Sequence, residues 1–133
     1  ADYFAHWLEI GSASTADKLP KLFWVNWFRR DEDGKFMWPG FGENSRILKF
    51  VLERVADEGE MVETAIGNVP APGAIDIDGL AIDEATMAKL LAVDDESWLA
   101  EIALIREHFA RFGEKLPTEL SAQLDALEQR LAA

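Results

Sequence analysis

The stretch Leu22-Phe23-Trp24-Val25-Asn26-Trp27-Phe28 is apolar at every position but one, and few folds can accommodate it. It lacks the alternation of a half-exposed strand, so it reads as a strand buried on both faces, with Asn26 as the single polar interruption. Such a strand needs a neighbour on each side. One further candidate stands close by, Lys35-Phe36-Met37-Trp38, joined to the first by a turn at Asp33-Gly34. A lone hairpin is marginal in water. These are therefore expected to be remnant strands of a larger mixed sheet completed by a longer polypeptide. The start at Ala1-Asp2-Tyr3-Phe4, aromatic and without Met, suggests a cut through a folded protein, although a processed N-terminus would look the same.

The remaining pattern is helical. Tyr3 to Ile10 is a short apolar segment, followed by a polar loop over Ser12 to Asp17. Asn44 or Ser45 can cap a helix carrying Ile47, Leu48, Val51, Leu52 and Val55 as one apolar stripe, with Gly59 as its stop. Thr64 to Leu80 is rich in Gly and Pro and reads as loop, with a short strand at Thr64-Ala65-Ile66. Asp83 can cap a helix over Glu84 to Ala92, with Ile82 and Met87 placed as a hydrophobic staple. Asp94 can cap the next, where Trp98, Ile102, Ile105, Phe109 and Phe112 recur at helical spacing. After Pro117 the pattern returns in Leu120, Leu124, Leu127 and Leu131, which implies an antiparallel helical pair. The expected fold is α+β and predominantly helical. Its expected organisation is strand, aromatic loop and helix over 1–60, loop over 61–82, and a C-terminal antiparallel helical region over 83–133.

Composition removes several function classes. With 133 residues, 49% hydrophobic and 29% charged, the chain fits one globular domain. No apolar run approaches the length of a membrane span, and no basic-then-apolar stretch of the secretory kind occurs in the sequence. Cysteine is absent, which excludes disulfides and thiolate chemistry and points to a cytoplasmic setting. His6 and His108 stand alone, read as structural, and form no metal-ligand pattern. A net charge of −12 disfavours nucleic acid, because phosphate neutralisation supplies most of that affinity. From Lys18 to Lys49, however, seven basic residues stand against four acidic ones, a balance suited to a small anion.

The first fifty residues hold four of the five Trp, six of the eight Phe and the only Tyr. Core packing accounts least well for Phe28, Phe36, Trp38 and Phe41, which lie near or between glycine-closed turns. Rings on such loops can present a face to a planar ligand. Asn44 follows in the same loop, and its amide offers both donors and acceptor. That set can read guanine, whose O6 accepts while N1–H and N2–H₂ donate, and can reject adenine, which has a donor in place of O6. The structural alternatives are a helix cap for Asn44 and a hydrophobic patch for the phenylalanines.

Phe23 to Arg46, read as one unbroken run (Phe-Trp-Val-Asn-Trp-Phe-Arg-Arg-Asp-Glu-Asp-Gly-Lys-Phe-Met-Trp-Pro-Gly-Phe-Gly-Glu-Asn-Ser-Arg), closely resembles the guanine-binding segment of GTP-dependent phosphoenolpyruvate carboxykinases. Ala5-His6-Trp7-Leu8, Thr64-Ala65-Ile66-Gly67 and the C-terminal helices extend the resemblance more loosely over the whole chain. It implies that Phe28, Phe36 and Phe41 enclose guanine, that Asn44 bonds its edge, and that Trp27 lies beside the pocket. Asn68, where an aromatic is expected, and Ala65, where proline is usual, depart from the pattern outside that pocket. Enzymes of the family convert oxaloacetate and GTP to phosphoenolpyruvate, CO₂ and GDP with Mn²⁺ and Mg²⁺, a reaction of gluconeogenesis. The resemblance implies a cytoplasmic, monomeric parent whose phosphate loop, metal ligands and substrate arginines lie upstream.

Those parts are not in this sequence. No Gly-x-x-x-x-Gly-Lys-[Ser/Thr] occurs, and Gly40-Phe41-Gly42-Glu43 is only half of a dinucleotide pattern. No catalytic or metal-ligating residue is therefore expected in this chain. Three readings stand: the C-terminal, base-recognising part of a carboxykinase, inactive alone and partnered by the rest of that enzyme; a stand-alone guanine-nucleotide binding module; or an interaction domain whose aromatics meet a protein or a sugar.

Overall fold

A computed structural model describes residues 2–133; Ala1, the first residue of the abrupt start, lies outside the described residues. The fold is predominantly helical with one small antiparallel sheet, in line with the expected class. Its elements are α1 (Asp2–Ser12), α2 (Asn44–Val55), β1 (Met61–Thr64), β2 (Gly67–Pro70), α3 (Glu84–Leu91), α4 (Asp95–Ala110) and α5 (Thr118–Leu131), with single 3-10 turns at Ala16–Lys18, Phe41–Glu43 and Gly113–Lys115. They gather into two compact units, Lys21–Ala92 and the flanking segments before Lys21 and after Ala92.

In the flanking unit α4 packs on α5, as their two apolar stripes require. Ile102, Leu124 and Leu131 are buried, and Arg106 bridges the helices by pairing with Asp125 at 2.8 Å and with Glu128. The α4 cap is the expected one, the Asp94 carboxylate accepting from the Ser97 N–H at 2.6 Å.

In the central unit Trp38, Phe50, Ile75 and Met87 form the core, and Trp27, Ile47, Ile82, Leu90 and Leu91 pack around them. Met87 lies in this core and Ile82 packs against it, the two positions named for the staple beside Asp83. The α2 stripe is turned from its expected setting. Phe50 is buried and Ile47 packs on the core, whereas Leu48, Leu52 and Val55 are exposed. The stop of α2 also falls earlier than Gly59. Asp57 takes the left-handed conformation (φ 60°) and the Glu58 N–H donates to the Glu53 carbonyl at 2.8 Å, a Schellman closure. Lys21 supports the non-glycine residue there, its Nζ donating to the Arg54 carbonyl at 2.8 Å and pairing with the Asp57 carboxylate at 2.5 Å. Gly59 instead serves close packing, since a Cβ there would lie 3.2 Å from the Phe50 ring.

The expected strand over Leu22–Phe28 does not form. A strand exists through its ladder, and among the described residues none pairs with this stretch. Trp24 stands 97% exposed. Asn26 ends the extended run, its side-chain carbonyl accepting from the Phe28 N–H at 2.9 Å in an Asx turn. The second expected strand is reduced to one antiparallel bridge, Arg30 with Phe36. The turn between them is where the sequence put it. The Gly34 N–H donates to the Asp31 carbonyl at 3.0 Å, with Gly34 at φ 77°. The observed sheet lies in the stretch expected to be mostly loop, β1 pairing with β2 from Met61–Pro70 to Thr64–Gly67. Ala65-Ile66 is its turn and not a strand, and Gly67 at φ 123° supplies the positive φ that returns the chain.

The α3 cap carries a pH dependence. The Asp83 carboxylate accepts from the Thr86 N–H at 2.8 Å, and hydrogen bonding from Thr86 holds its pKa below the ordinary value. A carboxylate lowered on folding stabilises fully above its unfolded pKa, about 3.9, and that contribution is lost as pH falls through the folded value. The difference in Tm between wild type and Asp83→Ala should be widest near neutrality and shrink as pH is taken from about 5 to 2. A difference constant across that range would contradict the cap.

Candidate functional site

The chain between the Asx turn and α2 carries a cleft of about 520 Å³, lined by Trp27, Phe28, Lys35, Phe36, Trp38, Pro39, Gly40, Phe41 and Asn44. That volume suits a small organic ligand. Each wall has its own support. Phe28 follows the Asn26 turn and meets Phe36 edge to face, with ring centroids 5.9 Å apart. Phe36 is held at the Arg30 bridge, and the Arg30 guanidinium lies 4.0 Å from its ring centroid. The same guanidinium donates to the Gly34 carbonyl at 2.5 Å, so the hairpin turn and the ring are tied together.

Phe41 opens the 3-10 turn before α2 and stands 96% exposed. Gly40 sets its direction with φ 101° and ψ −155°, a backbone region open essentially to glycine alone. Trp38 takes the opposite role. Only 5% exposed, it is a member of the core and contributes its indole N–H upward, donating to Asn44 Oδ1 at 2.9 Å. Asn44 is the first residue of α2 and closes the preceding 3-10 turn, its backbone N–H donating to the Phe41 carbonyl; Glu43 occupies the N-cap position of α2 without a side-chain bond.

The structure thus brings Phe28, Phe36, Phe41, Asn44 and Trp27 onto one cleft, with Trp27 also packed against the core. Trp38, expected among the open aromatics, is buried. Lys35 and Pro39 also line the cleft, and their places, directly before Phe36 and between Phe36 and Phe41, were the available signal.

The positive balance of this region is largely consumed by the fold. Arg46 binds Glu43 at 2.8 Å and donates to the Asp76 and Asp78 carbonyls at 2.9 Å each; Glu43 raises its pKa above the usual arginine value. Arg29 donates to the Leu90 carbonyl at 3.1 Å, at the C-terminal end of α3. Lys21 is held by Asp57, and Lys49 lies 3.5 Å from Glu53. Lys35 is the cation on the cleft itself. Among the described residues no three His, Asp or Glu side chains gather as metal ligands, and no helix is long and apolar enough to cross a membrane. His108 rests edge-on against Phe112, with centroids 5.3 Å apart.

The family model for the C-terminal P-loop domain of phosphoenolpyruvate carboxykinase matches residues 1–130. The chain belongs to the GTP-dependent phosphoenolpyruvate carboxykinase family. It is 53% identical over 133 residues to the phosphoenolpyruvate carboxykinase [GTP] of Neocallimastix frontalis, covering 99% of this chain and 22% of that protein. The enzyme of the same name from Arthrobacter sp. (strain FB24) is 47% identical over 131 residues, covering 98% of this chain and 21% of its own length. That of Treponema pallidum (strain Nichols) is 46% identical over 132 residues, with coverage of 98% and 21%. The chain therefore spans about a fifth of the length of the curated relatives it matches.

Gly40 provides a direct test of how the loop is held. Beyond its two chain neighbours no atom lies within 4 Å of a Cβ at Gly40, so the cost of Gly40→Ala is local backbone strain, about 1–3 kcal/mol. Urea unfolding should show that loss, whereas Gly42→Ala, at a position without positive φ, should show far less. Equal effects would contradict the strained conformation at Gly40.

Proposed function

We propose that the cleft binds the guanine base of GTP or GDP. In this reading Phe28, Phe36 and Phe41 supply ring faces, Asn44 reads the base edge, and Trp27 borders the site. The observation that carries it is the convergence of three partly or fully exposed phenylalanines and one amide on a single cleft, in a chain of the GTP-dependent carboxykinase family. Stacking tolerates any base, because every base has a π-face. Selectivity then falls to the polar group, and an amide that donates to O6 of guanine meets N6–H₂ in adenine, donor against donor.

The whole enzyme, in this proposal, converts oxaloacetate and GTP to phosphoenolpyruvate, CO₂ and GDP in the cytoplasm. Decarboxylation yields an enolate whose oxygen accepts the phosphoryl group. That transfer depends on positioning and on neutralising phosphate charge, and in this proposal polypeptide beyond this segment supplies both, together with Mn²⁺ and Mg²⁺. The Gly-rich phosphate motif does not occur here, so this chain contributes base recognition and no catalytic residue.

Titration of the 133-residue chain with GMP, IMP and AMP should give weak binding, with the two 6-oxopurines above AMP. Phe41→Ala should weaken GMP by about 1–3 kcal/mol, roughly fivefold to hundredfold, with helical circular dichroism unchanged. Equal affinity for all three nucleotides would remove Asn44 as the reader. Binding of a sugar or peptide without nucleotide binding would favour an interaction domain.

A further inference from the structure

An asparagine reads a base only if its amide is held one way round. The two ends of the amide are nearly equal in size, and rotation about the last bond exchanges a donor face for an acceptor. In this structure the rotation is decided by Trp38. An indole N–H only donates, and it lies 2.9 Å from Asn44 Oδ1. The flipped amide would set Nδ2–H against Nε1–H in a part-buried place and leave both donors without an acceptor. Trp38 itself has no freedom to follow such a flip, because its ring is packed among Phe50, Ile75 and Met87.

Resting on the base-recognition reading above, we propose that Trp38 is a specificity-determining positioning residue. By occupying one lone pair of Asn44 Oδ1 it commits the Nδ2 donors to the ligand, and so sets the preference for a purine with a 6-oxo group. The indole N–H acts through Asn44, whereas the buried indole ring supports the loop on which the Arg30 bridge, the Asn26 turn and Gly40 set the stacking rings. Loss of the indole N–H therefore releases the amide without removing the ring faces.

The test is calorimetric titration of wild type, Trp38→Phe, and the chain carrying 3-benzothienylalanine at position 38, each with GMP and with AMP. The last variant keeps the shape of the indole and replaces N–H by sulfur, so it preserves the core if Trp38→Phe fails to fold. GMP affinity should fall by about two- to tenfold, the worth of one hydrogen bond. AMP affinity should stay as in wild type, so that the GMP-to-AMP ratio collapses. A variant in which both nucleotides weaken by one factor, or in which the ratio is retained, overturns the positioning role while leaving base recognition standing. A wild type with no preference for GMP overturns the base-recognition reading itself, and this role with it.

Discussion

The aromatic cleft depends on the anchoring of Trp38 in the core beneath it. The hairpin around Gly34 has a single bridge and no ladder, which by itself is too little to hold a loop in water. Burial of one large ring among Phe50, Ile75 and Met87 supplies what the missing ladder does not. The neighbouring residues can then be left in solvent. Phe41, three positions later, is almost fully exposed because Gly40 turns the chain between them.

Charge reinforces this arrangement from the sides. Arg46 ties the start of α2 to the carbonyls at Asp76 and Asp78, and Arg29 ties the hairpin to the end of α3. Arg46 uses two guanidinium nitrogens on two backbone carbonyls, which suits the planar fork better than a lysine. Read as a sum, these cations suggest an anion site. Read as contacts, they are the framework of the loop, and the cleft they frame is mainly aromatic, with one lysine and one amide.

What was legible in the sequence follows the range of the interactions. The α3 and α4 caps at Asp83 and Asp94, the staple of Ile82 with Met87, and the paired stripes of α4 and α5 are local or helix-periodic, and each is found where expected. Leu22–Phe28 has the composition of a strand, but a ladder needs a partner at a distance, and none is present among the described residues. Asn44 was ambiguous between cap and reader for a related reason. Its cap role would be local, whereas its actual partner, Trp38, is recognised only once the ring is seen to be buried. The cleft residues themselves were legible from the resemblance and from the glycine-closed turns; the division of labour between Trp38 inside and Phe41 outside was not.

In the proposed function the three rings and the amide act together on one base. The most direct measurement is an NMR titration of the chain labelled at Phe rings and Asn side chains, with GMP and then AMP. Both nucleotides should shift the ring signals of Phe28, Phe36 and Phe41, and GMP alone should shift the Asn44 amide strongly. Shifts confined to residues away from the cleft, such as the exposed Trp24 stretch, or an identical Asn44 response to both nucleotides, would contradict it.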